Sequence, residues 1–288
     1  MRLALGTAQF GLNYGIANQN GQVPHQEAKE MLQLAAANHI DTLDTAIDYG
    51  ESESCLGKLG IQDFKIVTKL PAVPDGCADI NIWVQEQVAL SLTRLGVNSI
   101  YGLLLHRSWQ LLGSSGKALY NAMQALKNSG QVLKTGISIY SPNELEAITK
   151  LFPLDLVQAP FNLVDRRLHT TNWLHRLKDS GVEIHTRSVF LQGLLLMAKP
   201  NIPPKFAAWC DLWTKWHEWI ANHEISAVQT CLAFPFAFPE IDRIVVGTDS
   251  ISQLEQIINA ANNTFLVDLP DLSCDAENLI NPAFWNKL

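Results

Sequence analysis

Four residues of this 288-residue chain stand where polar groups can do chemistry: Asp44, Tyr49, Lys69 and His106. Three of them close short apolar runs, IDTLD, IVTK and YGLLLH, and Tyr49 lies in the loop just beyond the first. Runs of β-branched and apolar residues bounded by turn signals read as buried parallel strands. A titratable residue at the carboxyl end of such a strand, where barrel enzymes keep their chemistry, reads as catalytic. Together the four make one proton-donating device. A phenol titrates at about 10 and is a reluctant acid at neutral pH, so a nearby cation, Lys69, is expected to pull its value down. Asp44 can pair with Lys69, because a buried unpaired charge costs several kcal/mol. His106 can donate a hydrogen bond to a carbonyl oxygen as negative charge develops. Such a set protonates an alkoxide while a hydride arrives from elsewhere. An isomerase or lyase using Lys69 as an amine nucleophile is disfavoured, because Asp44 beside it keeps the amine protonated.

Holding four such groups together requires repeated strand and helix units, and the rest of the chain supplies them. Apolar runs at residues 3–7, 41–45, 65–69, 100–105, 134–138, 154–159, 182–186 and 243–246 read as eight strands. Between and after them lie amphipathic segments at 24–38, 52–58, 79–95, 117–128, 143–151, 171–180, 206–223, 226–237 and 251–261. Eight strands in βα alternation predict a closed (β/α)8 TIM barrel as one domain over residues 1–288, with 264–288 as a C-terminal tail. In that tail Phe265, Leu266, Phe284 and Trp285 are apolar anchors, which either pack on the barrel wall or reach the mouth. Trp209, Trp213, Trp216 and Trp219 share one helix face; core packing is the default, with a lid or subunit interface as the alternative.

Composition bounds the function classes. With 47% hydrophobic and 17% charged residues the chain can bury a sizeable core. A net charge of −7 without a Lys/Arg run argues against a nucleic-acid surface. No stretch approaches the roughly 20 apolar residues that span a bilayer, and the N-terminus is not a signal peptide, so a cytoplasmic protein with no membrane partner is expected. The five cysteines show no CxxC spacing and read as free thiols in a reducing compartment. His169/His175 and His217/His223 are six apart, which does not align two ligands on a helix face, so no metal is expected.

The stretches LDTAIDYG, TKL and LLH, in that order, resemble the catalytic tetrad of the aldo-keto reductases, a family of NAD(P)H-dependent (β/α)8 barrels. The chain is similar to that family over essentially its whole length. The resemblance implies reduction of an aldehyde or ketone, possibly sugar-like, to an alcohol, with hydride from nicotinamide and the proton from Tyr49. NADPH is the cofactor the family favours, with NADH possible and weak discrimination expected. Family members commonly begin with a β-hairpin that plugs the barrel bottom. This chain begins at its first strand, so Arg2 and Leu3, or another subunit, must cap it; the oligomeric state stays open.

The resemblance also places a cofactor across the barrel mouth, at Gly6, Thr7 and Asp44 and in four further stretches. GISIYS resembles the family's GVSNF, giving Ser138 a carboxamide contact with Ile139 in place of Asn. VQAPFNL resembles VQxxYNL, giving Gln158 the second carboxamide contact and keeping Asn162. HTRSVFLQGLL puts Ser188 and Phe190 by the pyrophosphate and Arg187 where a Tyr stacks under nicotinamide. A guanidinium plane can take that stacking role, or Arg187 is a mouth residue paired with a carboxylate. VVGTDSISQLEQII resembles a loop feeding a helix N-terminus, a ready phosphate site, with Gly247, Thr248 and Ser250 matching. There Gln253 stands for the Arg of NADP-specific members, Gln256 for Glu and Ile257 for the adenine-binding Asn, while Asp249 adds a negative charge. Phe10, Ile47, Tyr49, His106 and Trp109, with Asn13, Tyr14 and Arg107, are expected to wall a pocket for a small carbonyl substrate. The frayed cofactor positions motivate one competing reading, a weakly catalytic or non-catalytic cofactor-sensing barrel subunit.

Overall fold

The computed structural model describes residues 1–263 and 268–288. Along the chain, β1 (Leu3–Gly6) is followed by α1 (Ala8–Gly11) and α2 (His25–Ala37), β2 (Thr42–Asp44) by α3 (Ser52–Leu59), and β3 (Lys65–Leu70) by α4 (Ile80–Leu95). Next come β4 (Ile100–Leu105) with α5 (Gly116–Asn128), and β5 (Val132–Ser138) with α6 (Asn143–Leu151). Then β6 (Leu156–Pro160) precedes α7 (Arg167–Thr170) and α8 (Trp173–Asp179), and β7 (Glu183–Arg187) precedes α9 (Cys210–His223) and α10 (Ala227–Phe236). Finally β8 (Arg243–Gly247) leads to α11 (Ile251–Asn262), and α12 (Glu277–Ile280) lies in the tail. The eight strands pair in parallel, in sequence order, and β8 closes on β1, so the expected single (β/α)8 barrel is what forms.

Period-2 alternation decides what each strand puts inside. At the carboxyl ends the register aligns Gly6 with Asp44, Lys69 with Leu104, and Ser138 with Gln158, which stacks the predicted chemistry in one layer. Below that layer Val67, Leu104 and Leu156 form a small apolar cluster inside the barrel. The main core lies between barrel and helices, where Leu3, Leu5, Met31, Leu43, Leu56 and Ile184 are fully buried. Each such side chain contributes roughly 1.5 to 3 kcal/mol by leaving water. The helices carry their own start and stop signals. In α4, Asp79 accepts from the backbone N–H of Ile82, and Gly96 ends the helix in the left-handed conformation at φ 66°.

Several boundaries differ from expectation for local reasons. The stretch after β1, where no helical segment is expected before residue 24, begins with the one-turn helix α1. The segment at 206–223 splits into a 3-10 turn, Pro204–Trp209, and α9, leaving Trp209 as the cap residue of α9. Trp213 and Trp216 are buried, and their indole N–H groups donate to the carbonyls of Phe206 and Leu195, both at 3.0 Å. These rings are core, and none lines the cavity described below. In the tail, Trp285 is buried edge-on to Phe206 with centroids 4.9 Å apart, and Cys274 donates its N–H to Val164. Phe284 stands exposed. Phe265 and Leu266 lie outside the described residues.

Polar side chains meet at the amino-terminal ends of the strands. Glu183 accepts from Tyr101 at 2.6 Å, pairs with Lys134, and meets His185 Nε2 at 2.7 Å. Lys65 and Lys134 both lie over the Tyr101 ring, 5.5 and 5.3 Å from its centroid. Arg2, anticipated as a cap, donates to the carbonyls of Phe236, Phe238 and Ile241 and so ties the start of β1 to the end of α10 and the segment after it. Among the described residues, no helix is long and apolar enough to cross a membrane.

Candidate active site

Lys69 and Asp44 face each other at the top of the barrel, both buried. The Lys69 ammonium donates to Asp44 Oδ1 and Oδ2 at 2.8 and 2.7 Å and to the Thr45 carbonyl at 2.9 Å. All three of its protons are therefore committed. Asp44 Oδ1 also accepts from the Gln158 amide at 2.7 Å, and Gln158 in turn accepts from Ser138 Oγ at 3.4 Å. A relay of polar contacts thus crosses the barrel from β5 through β6 to β2 and β3. Burial pulls the Lys69 value down, and the doubly bonded Asp44 carboxylate opposes it.

Tyr49 sits over this pair, with the Lys69 ammonium 5.0 Å from its ring centroid. Its turn is held by the N–H of Tyr49 on the Ala46 carbonyl at 3.0 Å and by α1 from behind. Gly11 approaches so closely that a Cβ there would lie 1.9 Å from the Tyr49 carbonyl oxygen and 2.4 Å from the Ser52 nitrogen. Only glycine permits that contact. The phenol differs from expectation: its pKa is raised, first by burial and then by the Asp44 charge, with Arg187 pulling the other way. Lys69 does not offset this, its ammonium being bound by Asp44 at contact distance. Tyr49 is therefore firmly protonated at neutral pH.

His106 stands edge-on to Tyr49, with ring centroids 5.9 Å apart. Burial, reinforced by the Lys69, Arg107 and Arg187 charges, lowers its pKa to about 3. The imidazole is thus neutral, and its Nδ1 has no hydrogen-bond partner among the described residues. Arg187 is paired with no carboxylate among the described residues. Its guanidinium donates to the Ile139 carbonyl at 2.9 Å and lies over the Tyr140 ring, 4.7 Å from the centroid.

These groups line one end of a cavity of about 560 Å³, the size that houses cofactors and small substrates. The cavity runs on past Gly6, Thr7, Ser138, Ser188 and Phe190 to Gly247, Thr248, Gln253 and Gln256 at the head of α11, all of them expected. Over the carboxyl end of β8 the loops after β1 and β7 meet. Gln192 donates to the Tyr14 hydroxyl at 3.0 Å, and a Cβ on Gly193 would lie 2.4 Å from Ala17 Cβ. Inside, Asp249 is buried with Oδ1 lacking any hydrogen-bond partner among the described residues. A buried carboxylate on the wall of a cleft of this size fits a dinucleotide with hydroxyls to donate.

Seven expected site residues are not on the cavity wall. Phe10 is fully buried core, Ile47 packs against the core, and Trp109 is 60% exposed outside the cavity. Gln158 lies beneath the floor, where strand alternation points its amide at Asp44. Asn162 is buried and holds the β7 loop by donating to the Ser188 carbonyl at 3.0 Å. Ser250 caps α11, accepting from the N–H of Gln253. Tyr14 and Arg107 line the cavity, as expected, while Asn13 does not. Gln9, Tyr140 and Gln192 line it without having been anticipated. Continuing the alternation of β5 two residues past Ser138 would have found Tyr140.

A model of the Aldo/keto reductase family matches residues 2–268. The chain belongs to that family. Among curated relatives, the oxidoreductase sirO of Leptosphaeria maculans is 28% identical over 217 residues, covering 72% of this chain and 65% of its own length. The chain thus spans just under two thirds of sirO. The uncharacterized oxidoreductase YqkF of Bacillus subtilis is 25% identical, covering 90% of each protein. Among solved structures, the aldo-keto reductase AKR11C1 from Bacillus halodurans in its holo form superposes with a TM-score of 0.75 at 21% identity, over 92% of this chain and 88% of that one. As an aldo-keto reductase this chain is an NAD(P)H-dependent oxidoreductase that acts on carbonyl groups.

Proposed function

We propose that this aldo-keto reductase reduces a small aldehyde or ketone with Tyr49 as the proton donor. A nicotinamide dinucleotide bound in the cavity supplies the hydride. The observation carrying the reading is a buried, protonated Tyr49 beside a neutral His106, over a Lys69 whose three protons are all engaged. The carbonyl oxygen gains negative charge as its carbon is reduced, and a proton passes from Tyr49 Oη to that oxygen. His106, being neutral, orients the oxygen through a ring N–H without competing as an acid. Asp44 holds Lys69, and Gln158 holds Asp44, so the charge under the phenol is fixed before substrate enters. A lysine with no free proton or lone pair is also a poor amine nucleophile, which argues against Schiff-base chemistry.

The cofactor-sensing alternative has no support in this arrangement, since a binding module has no need of the complete proton-donating set. The cavity wall mixes Tyr14 and Tyr140 faces with Arg107 and Arg187, which suits aromatic as well as polyhydroxylated carbonyls. Tyr49→Phe is expected to leave nucleotide binding within a few-fold while turnover falls about 10² to 10⁴-fold. Undiminished turnover in that variant, across a panel of aldehydes, ketones and sugar-like carbonyls, would remove Tyr49 from the role.

A further inference from the structure

At the head of α11, two observations bear on which dinucleotide the cavity takes. Asp249 is buried and its side chain lines the cavity, while Oδ1, itself closed off from solvent, has no hydrogen-bond partner among the described residues. Separately, the N-terminus of α11 is already occupied: the Ile251 N–H donates to Glu27 Oε1 of α2 at 2.9 Å, and the Gln253 N–H goes to Ser250 Oγ at 3.3 Å. The Thr248 hydroxyl is spent on the Ser250 carbonyl at 3.2 Å. The Thr248 hydroxyl and the Ile251 and Gln253 N–H groups are thus engaged, and a carboxylate lines the cavity beside them. Neither β8 nor α11 contributes a lysine or arginine to the cavity wall. The cations that line it, Lys69, Arg107 and Arg187, come from β3, the end of β4 and β7, at the reaction end.

We infer that Asp249 is the residue that selects the cofactor, accepting a hydrogen bond from a ribose 2′-hydroxyl, so that the enzyme prefers NADH over NADPH. This rests on the dinucleotide reading of the cavity given above. A carboxylate accepts from a hydroxyl but repels a phosphate ester in the same place, and Glu27 adds a second negative charge close by. The preference runs opposite to the NADPH favoured by the family resemblance. A charge-assisted hydrogen bond gained by one cofactor and lost by the other corresponds to about a 10 to 150-fold difference in affinity.

The test is binding to the apo protein, followed by calorimetry, with NADH, NADPH, 5′-ADP and 2′,5′-ADP as probes. The expected result is tighter NADH than NADPH by at least about tenfold, with the same order for the two adenosine fragments. Asp249→Ser should weaken NADH and strengthen NADPH. Glu27→Gln, which keeps an acceptor for the Ile251 N–H, should strengthen NADPH alone. Tighter NADPH in the wild type, or a ratio unchanged in both variants, would overturn the assignment to Asp249 while leaving the reductase reading intact. Absence of binding by all four probes would overturn the dinucleotide reading and this inference with it.

Discussion

His106 is a histidine withdrawn from physiological titration. Burial and three neighbouring cations place its pKa at about 3, against an ordinary value of about 6.5. Between those two values the unfolded chain binds a proton that the folded chain does not. The stability this residue contributes is therefore complete above about pH 6.5 and is lost as pH falls toward 3. Its imidazole proton resonances should stay constant from pH 8 to pH 5 in an NMR titration, and kcat/KM should show no break from this group in that range. A titration midpoint near 6.5 would mean that water reaches the ring. The four tetrad residues were legible in the chain because each is a polar residue at, or just past, the end of an apolar run. What they do to one another was less so. The upward shift of Tyr49 depends on its burial and then on the Asp44 charge beneath it, and the diversion of Gln158 to Asp44 depends on two strands four apart facing across the barrel. Neither can be read from spacing along the chain.

At the scale of elements, the eight strands were legible because each is a buried apolar run, whereas α1 was not. Four residues are too few for a helical period to show. Yet α1 sets the position of Tyr49, the proposed proton donor, because Gly11 rests against its carbonyl. Adding one methyl group there forces the backbone of one partner to move. Gly11→Ala is expected to cost about 1 to 3 kcal/mol by overpacking and to lower turnover by on the order of 10²-fold through displacement of Tyr49. Thermal melts together with steady-state kinetics check both parts, and a variant matching wild type in the two would show that the turn has slack. The element α3 supports the same region from the other side. Its buried Glu53 accepts from Thr68 and Ser91, each at 2.7 Å, and from Arg94 at 2.8 Å, fastening β3, and so Lys69, to α4.

Charged side chains gather at one end of the barrel, and the cavity opens at the other. Glu183 is held far below the usual carboxylate range because, despite its burial, His185, Lys134 and Tyr101 all hydrogen-bond to it. A depressed folded value means that this network stabilises the barrel above the unfolded carboxylate pKa of about 4.3 and that the benefit is lost as pH falls below it. Thermal midpoints from pH 7 to pH 3 should therefore drop less steeply for Glu183→Gln than for wild type, and parallel curves would place the acid sensitivity elsewhere. At the open end, the loops after β1 and β7 form an arch over β8, fastened by the Gln192 to Tyr14 hydrogen bond and the Gly193 to Ala17 contact. A neutral hydrogen bond is worth about 1 kcal/mol net, so the unlatched arch is populated at the order of one part in ten. Entry of a nucleotide is then slowed by no more than about tenfold, because the open form is always at hand. A nucleotide leaving from beneath the arch meets the same latch, so Gln192→Ala is expected to raise its dissociation rate by no more than about tenfold, which stopped-flow fluorescence would read.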